Sequence, residues 1–203
     1  MHPLRVGLFG GTFDPPHLGH LIVAQEVAEG LSMDRLLFLV AGQPPHKLRK
    51  AVTPPELRLE MVEAAVAENP IFEVSGVELQ REGPSFTVDT LRYFRAAHPD
   101  ADLYFLLGSD QLMELREWRE PDRIAELATL VVVGREGVSL DEAGSVTLDS
   151  GRVVRCVFPE IRRIDISSSA IRDRVRKGCS IRYLVPPNVR RIIEDHRLYR
   201  PIS

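Results

Sequence analysis

The sequence is poor in the features that mark secreted, membrane-spanning or nucleic-acid-binding proteins. It has only two cysteines in 203 residues, no Cys-x-x-Cys pair, and no N-terminal stretch that resembles a secretion signal. We therefore expect Cys156 and Cys179 to be reduced thiols in a cytoplasmic protein. No apolar run approaches the length of a membrane span. The net charge of −3 gives no general attraction for nucleic acid, so an anionic ligand must be held by local groups.

Two common phosphate-binding glycine patterns are also missing. The chain has neither the G-x-G-x-x-G spacing of dinucleotide-binding oxidoreductases nor the G-x-x-x-x-G-K-[ST] of P-loop enzymes. It has instead GGTFDPPHLGH at residues 10–20, after an apolar strand that ends at Phe9 and before a helix. Gly10 and Gly11 let a ligand approach the backbone, and the N–H groups of the first helical turn favour an anion. The segment predicts a polyphosphate site.

A pair of histidines lies in the same segment. His17 and His20 are three residues apart, so they share one face of the first helical turn and can donate hydrogen bonds to the same polyphosphate. A zinc site is the alternative for such a pair. It has no support from a nearby cysteine or an obvious third ligand.

A second candidate phosphate-binding element is ISSSAIR, Ile166 to Arg172. Ser167 or Ser168 can cap a helix that starts there, and the hydroxyls and amides left over, with those of Ser169, face the same pocket. Arg172 follows one turn later. The alternative is a plain helix cap without a ligand.

The strand and helix patterns alternate along the chain, which predicts an α/β fold with an open parallel sheet and helices on both faces, in a single domain spanning residues 1–203. The part from about 166 to 200 is expected to be helical. Residues 136–151 show little periodicity and are expected to form a flexible insertion. Ligands bind beyond the carboxyl ends of parallel strands, so four loops should converge on one crevice: those after Phe9, Val40, Leu107 and Val133.

Three further segments are ambiguous by themselves. PPHK places His46 and Lys47 on a proline-stiffened loop that either meets a phosphate or is simply an exposed basic loop. GPSFTVDTL sets Ser85 and Thr87 at a helix start, where they either seat a carboxylate or form an ordinary N-cap. Trp118 is the only tryptophan and lies in the charged stretch REWRE, where it is either a stacking residue or a rim residue that covers the edge of the core.

Taken together, these segments resemble the nucleotidyltransferase superfamily of adenylyl- and cytidylyltransferases, and within it the bacterial nicotinate-nucleotide adenylyltransferases. The resemblance covers nearly the whole chain and implies a Rossmann-like fold. ISSSAIR is similar to the family's I-S-S-T-x-I-R, with Ser169 in place of the threonine. The resemblance implies the following site: His17, His20 and Arg172 for catalysis; Gly10, Gly11, Thr12, Phe13, Gly19, Gly108, Asp110, Ser167, Ser168 and Ser169 for ATP; His46, Lys47, Ser85, Thr87, Trp118 and Arg135 for nicotinate mononucleotide.

The reaction implied by this resemblance is attack of a substrate phosphate oxygen on the α-phosphorus of ATP, with pyrophosphate leaving. Mg²⁺ is expected to be carried by ATP, with no protein ligand assigned to it. Donors at a helix N-terminus favour a carboxylate over an amide, which predicts nicotinate rather than nicotinamide mononucleotide as the acceptor. The alternatives are a nicotinamide mononucleotide or phosphopantetheine acceptor, or a nucleotide sensor without catalysis. No nucleic-acid or membrane partner is expected, and assembly into a homo-oligomer is left open.

Overall fold

The structure, a computed structural model, describes residues 2–42, 52–134 and 145–201. Strands and helices alternate through these ranges, with one 3₁₀ turn at Leu115–Glu117. The strands are β1 (Arg5–Gly11), β2 (Arg35–Val40), β3 (Phe72–Ser75), β4 (Asp102–Gly108), β5 (Thr129–Val133), β6 (Ser145–Thr147) and β7 (Val153–Val157). The helices are α1 (Leu18–Gly30), α2 (Pro55–Val66), α3 (Thr87–Ala97), α4 (Ser109–Met113), α5 (Pro121–Leu127), α6 (Ser168–Arg176) and α7 (Pro187–Asp195).

The strands form one sheet in the order β3-β2-β1-β4-β5-β7-β6. Neighbouring strands are parallel throughout, except that β6 pairs with β7 antiparallel. From β1 the chain proceeds to β2 and β3 on one side, and then returns to place β4 and β5 on the other. The order therefore reverses between β1 and β4, and a ligand crevice is expected at the carboxyl ends of these two strands. The predicted Rossmann-like open sheet is confirmed.

Apolar side chains cover both faces of this sheet. Along β2, Leu37 and Leu39 belong to one core cluster, whereas Leu36 and Phe38 belong to the cluster on the opposite face. Successive strand residues point to opposite faces, so a strand that is buried on both sides is apolar at every position. This explains the uninterrupted run LLFLV. The first cluster includes residues of α3 and α5, and the second includes residues of α1 and α2.

The C-terminal helices pack on α2 through a third apolar cluster. Met61 of α2 is fully buried there with Ile171 of α6 and Val189 and Ile193 of α7. The amino end of α6, which carries the three serines, is held in place by this packing. Sequence patterns predicted this closing pair of helices.

The expectation of a flexible insertion over 136–151 is wrong for its second half. Ser145–Thr147 form β6, and Leu148 is buried in the core. A strand of three residues is too short for its alternation to be recognised. The first half of that stretch lies outside the described residues. The short helices α4 and α5 were also not predicted from the sequence.

Cys156 and Cys179 are both free thiols, and burial raises the pKa of Cys156 to about 11. Among the described residues, no helix combines the length and apolar character that crossing a membrane requires.

Candidate functional site

The two histidines of the GGTFDPPHLGH segment form a reciprocal cap at the start of α1. The backbone N–H of His17 donates to Nδ1 of His20 at 3.2 Å, and the backbone N–H of His20 donates to Nδ1 of His17 at 3.3 Å. The rings stack with their centroids 3.6 Å apart. A ring nitrogen that accepts an N–H carries no proton, so each neutral imidazole holds its proton on Nε2. The cap therefore fixes the tautomer of both rings.

Burial keeps these imidazoles neutral. It lowers the pKa of His17 to about 4, and the pKa of His20 is lowered by burial and further by its neighbour His17. At neutral pH the pair therefore offers two fixed Nε2–H donors rather than two cations.

All the residues predicted for catalysis and ATP binding line one cavity of about 810 Å³ at the carboxyl ends of the strands. The cavity brings together the turn after β1, the start of α1, the end of β4 and the start of α6. Its lining includes His17, His20 and Arg172, together with Gly10, Gly11, Thr12, Phe13, Gly19, Gly108, Asp110, Ser167, Ser168 and Ser169.

Two of the four loops predicted to converge contribute to this cavity, namely those after β1 and β4, and Val133 at the end of β5 also lines it. The loop after β2 is joined to the first of them, because the N–H of Ala41 donates to the carbonyl of Gly11 at 2.9 Å. The predicted His46 and Lys47 follow on that loop but lie outside the described residues.

Packing explains two glycines of the segment differently from the sequence interpretation. A Cβ on Gly11 would lie 2.7 Å from the ring of Phe13. Phe13 is buried and has a φ of 49°. Its ring packs edge-on to that of His20, with the ring centroids 5.1 Å apart. A Cβ on Gly19 would lie 3.0 Å from Nδ1 of His17. These glycines make room for Phe13 and for the histidine cap, whereas the sequence interpretation gave Gly11 the role of admitting a ligand.

Helix α6 is tied directly to the turn after β1. Ser167 is its N-cap and accepts the N–H of Ala170 at 3.2 Å. Ser168 Oγ donates to the carbonyl of Pro15 at 2.8 Å, and the Arg172 guanidinium donates to the carbonyl of Asp14 at 2.6 Å. Of the two serines that the sequence allowed as the cap, Ser167 and Ser168, the structure uses Ser167. Ser168 and Arg172 join the two candidate phosphate-binding elements into one structure.

Asp14 is a buried carboxylate that sequence reasoning could not assign. It is 5% exposed; its Oδ1 accepts the hydroxyl of Tyr199 at 2.7 Å, and its Oδ2 accepts the N–H of Thr53 at 3.4 Å. Burial, reinforced by this carboxylate, raises the pKa of Tyr199. Tyr199 has no sequence signal that links it to the site, because the contact spans most of the chain.

Arg58 of α2 is a second buried polar residue that the sequence interpretation missed. It is 2% exposed and donates to the carbonyl of Thr12 in the cavity-lining turn and to that of Ala41 in the loop after β2. The sequence did carry a signal for it. The helical spacing places Arg58 on the same face of α2 as Met61 and Val62, and an arginine is unexpected on a buried helix face.

Within the part of the chain that the structure describes, no group of three or more His, Cys, Asp or Glu side chains is arranged to hold a metal ion. The zinc alternative for His17 and His20 finds no third ligand there, and both Nδ1 atoms are used by the cap.

The residues predicted to bind nicotinate mononucleotide do not line this cavity, or they lie outside the residues that the structure describes. Arg135, like His46 and Lys47, is not among the described residues. Thr87 is the first residue of α3, with Phe86 as an N-cap that makes no side-chain hydrogen bond, so the ordinary serine cap considered for this segment is not formed. Ser85 instead hydrogen-bonds the half-buried carboxylate of Glu78.

The Glu78 carboxylate is shared by several groups on the acceptor side. It also accepts the hydroxyl of Thr90 at 2.8 Å and a backbone hydrogen bond from Gly42. Burial raises its pKa above the ordinary value.

Trp118 packs at the edge of the core, edge-on to Phe105 with the ring centroids 6.3 Å apart. Its indole Nε1 is buried and has no acceptor among the described residues. Phe105 also contacts the position where Gly10 would carry a Cβ, at 3.6 Å, so one side chain links Trp118 to the cavity wall.

Comparison with known proteins assigns this arrangement to a family. The cytidylyltransferase-like family model matches residues 8–174. A relative from Thermus thermophilus, named as a probable nicotinate-nucleotide adenylyltransferase, is 49% identical over 97% of this chain and all of its own length. Relatives with the same name from Geobacillus thermodenitrificans and Clostridium tetani are 46% and 37% identical, over 96% and 97% of this chain and 86% and 99% of their own lengths. The chain belongs to the nicotinate-nucleotide adenylyltransferase family.

Solved structures related to this family share the fold. The nicotinic acid mononucleotide adenylyltransferase of Plasmodium falciparum, complexed with NaAD, superposes with a TM-score of 0.78 at 19% identity, over 97% of each chain. A putative nicotinate-nucleotide adenylyltransferase from Vibrio parahaemolyticus gives a TM-score of 0.67, over 98% of this chain and 97% of that one. The family model ends inside α6, so α7 and Tyr199 lie beyond its match.

Proposed function

We propose that this chain transfers the adenylyl group of ATP to nicotinate mononucleotide, giving nicotinate adenine dinucleotide and pyrophosphate. The observation that carries the proposal is the joining of two phosphate-binding elements around one cavity. Arg172 and Ser168 of α6 donate to the carbonyls of Asp14 and Pro15, so the amino ends of α1 and α6 face the same space. The names of the relatives point to this reaction.

The triphosphate of ATP would lie between these helix ends. The Nε2–H groups of His17 and His20 would donate from one side, and the hydroxyl of Ser169 and the first N–H groups of α6 from the other. An adjoining cavity of about 780 Å³ shares Val23, Val133 and Ile164 with the first one. Its partly apolar lining suits the adenine ring.

Catalysis would consist of positioning and charge stabilisation. The attacking phosphate is already ionised near neutral pH, so the protein needs no general base. The two fixed Nε2–H donors and Arg172 would stabilise the negative charge that builds on the transferred phosphoryl group. When Mg²⁺ is bound with ATP, it would neutralise the departing pyrophosphate while held by the phosphate oxygens, since both Asp14 oxygens already accept protein hydrogen bonds.

The acceptor would bind on the α3 side of the cavity. The first N–H groups of α3, beginning at Thr87, have no partner within the helix and would donate to the pyridine carboxylate, with Ser85 beside them. Trp118 would contact the pyridine ring, and His46, Lys47 and Arg135 would bind the phosphate. An amide in place of the carboxylate would bring N–H groups against these donors, which favours the acid form.

The test is pyrophosphate release by the purified protein with ATP and Mg²⁺, offered nicotinate mononucleotide, nicotinamide mononucleotide or phosphopantetheine. We expect release with the nicotinate compound, loss of that release in His20→Ala, and retention in His196→Ala, where the histidine is exposed at the end of α7. Release with another acceptor alone would contradict the roles given to Thr87 and Trp118. ATP binding without release with any acceptor would favour a sensor.

A further inference from the structure

Arg58 joins two loops at the carboxyl ends of the strands. Its Nε donates to the carbonyl of Thr53 at 2.9 Å; one terminal nitrogen donates to Thr12 at 3.0 Å and Ala41 at 2.7 Å; the other donates to Gly42 at 3.2 Å. Four carbonyls from three separate segments therefore converge on one guanidinium. Only the planar fork of an arginine presents donors in that many fixed directions.

These four acceptors have a common position in the fold. Thr12 lies in the turn after β1 and lines the proposed ATP cavity. Ala41 and Gly42 follow β2, and Thr53 stands two residues before α2. Gly42 also donates to Glu78, which holds Ser85. The guanidinium thus links the proposed ATP side of the site to the proposed acceptor side.

Packing alone does not require a charge at this place. The neighbouring buried residues of α2, Met61 and Val62, are apolar, so the rest of this helix face packs without any charge. Burial lowers the pKa of Arg58, and the carboxylate of Asp14 counteracts that effect. A buried guanidinium is tolerated only where it is fully hydrogen-bonded. Its four bonds all fix loop carbonyls.

We propose that Arg58 is a positioning residue that sets the spacing between the loop after β1 and the loop after β2. This rests on the proposed function, in which these loops hold the two substrates. In-line attack requires the reacting oxygen and phosphorus to be held within about 3–3.5 Å, and a displacement of about 1 Å is sufficient to lower the rate about 100-fold. Arg58 touches neither substrate and acts through Thr12 and Gly42.

The chain offers a matched control in Arg95 of α3. Arg95 donates to the carbonyls of Pro99, Ala101 and Leu127 at 3.0, 2.6 and 2.9 Å. Ala101 and Leu127 come just before β4 and β5, at the amino ends of the strands and therefore away from the site. Arg95→Lys therefore loses hydrogen bonds to backbone carbonyls, as Arg58→Lys does, but these carbonyls do not belong to the candidate site.

The experiment compares wild type, Arg58→Lys and Arg95→Lys at a temperature where all three are folded by circular dichroism. It measures kcat, the KM for each substrate, the Kd for Mg-ATP by calorimetry, and hydrogen exchange of the Ala41 and Thr53 amides, which bond to Gly11 and Asp14. For Arg58→Lys we expect a fall in kcat/KM of about 100-fold, weaker Mg-ATP binding and faster exchange at both amides. For Arg95→Lys we expect a lower melting temperature with unchanged kinetics and ATP affinity.

Arg58→Lys with wild-type kinetics and ATP affinity, or a loss no larger than that of Arg95→Lys, would overturn the positioning role. An inactive wild type would count against the proposed function alone. In that case Mg-ATP affinity and amide exchange still decide whether Arg58 holds the loops in place, since neither measurement depends on the acceptor.

Discussion

His17 and His20 each accept, through Nδ1, the backbone N–H of the other. One pair of side chains therefore satisfies two N–H groups at the start of α1 and at the same time fixes the proton of two cavity-lining rings on Nε2. Helix capping through Nδ1 and the proposed catalytic role of Nε2 are thus combined in the same two rings. Substitutions can separate the two roles.

The first prediction concerns His20. Glutamine and glutamate are the side chains that close an ordinary capping box at this position, so His20→Gln is expected to keep the cap. We expect it to unfold close to wild type while its kcat falls about 10²–10³-fold, because the imidazole donor is gone. His20→Ala is expected to lose both activity and stability. Thermal unfolding and pyrophosphate release on the same samples check this; near-normal turnover of His20→Gln would remove the imidazole from the mechanism.

The second prediction concerns the stability of the protein in acid. The pKa of His17 is about 4 in the fold and about 6.5 in the unfolded chain. Between these values the unfolded chain binds more protons, so the free energy of unfolding must fall as the pH falls from 6.5 to 4, by up to about 3 kcal/mol from this residue.

Urea unfolding across that pH range checks the effect. His17→Asn keeps an N-cap acceptor and has no proton to gain, so its stability is expected to fall less steeply with acid than that of the wild type. Parallel slopes for the two proteins would show that His17 does not carry the effect.

The third prediction separates two neighbouring serines. Ser167 caps α6, whereas the described contact of Ser169 is with the Ser167 hydroxyl at 3.1 Å. Ser167→Ala is expected to lower the free energy of unfolding by about 1 kcal/mol. Ser169→Ala is expected to unfold like wild type but to raise the KM for ATP. If Ser169→Ala leaves that KM unchanged, its hydroxyl does not reach the phosphates.

The fourth prediction concerns Tyr199. Tyr199→Phe removes the hydroxyl that donates to the buried carboxylate of Asp14, and we expect a loss of about 1–3 kcal/mol of stability. Tyr183→Phe is the control, since Tyr183 is 80% exposed and its change is expected to stay within about 0.5 kcal/mol. Equal unfolding free energies for the two variants would show that the Asp14 hydrogen bond contributes little.

Local pattern was sufficient to predict much of this molecule. The alternating strands and helices follow from the spacing of apolar residues. Most of the residues predicted for ATP lie in two short segments that carry their own signal, GGTFDPPHLGH and ISSSAIR. The topology of a parallel sheet predicted that the loops after Phe9, Val40, Leu107 and Val133 converge, but it did not predict that ISSSAIR joins the turn after β1. The three-residue β6 and the short α4 and α5 have too few residues for any period to be visible.

The parts that escaped prediction depend on contacts between distant residues. Arg58 binds backbone carbonyls, which every residue has, so its partners leave no trace in the sequence. Tyr199 meets Asp14 only because α7 folds back on α2. The room that Gly11 gives to Phe13 depends on a ring placed by a positive φ, which composition does not reveal.

The bonds that Asp14 makes with Arg172 and Tyr199 span 158 and 185 residues of sequence. During translation, β1 and the start of α1 are synthesised first. The partners of the Asp14 carbonyl and carboxylate, Arg172 and Tyr199, are synthesised only near the end of the chain. A nascent chain released before residue 199 would lack the hydroxyl that donates to the Asp14 carboxylate. Synthesis of Tyr199, beyond the last helix, is therefore the step that supplies the final hydrogen bond to Asp14, a residue of the cavity wall made near the beginning of translation.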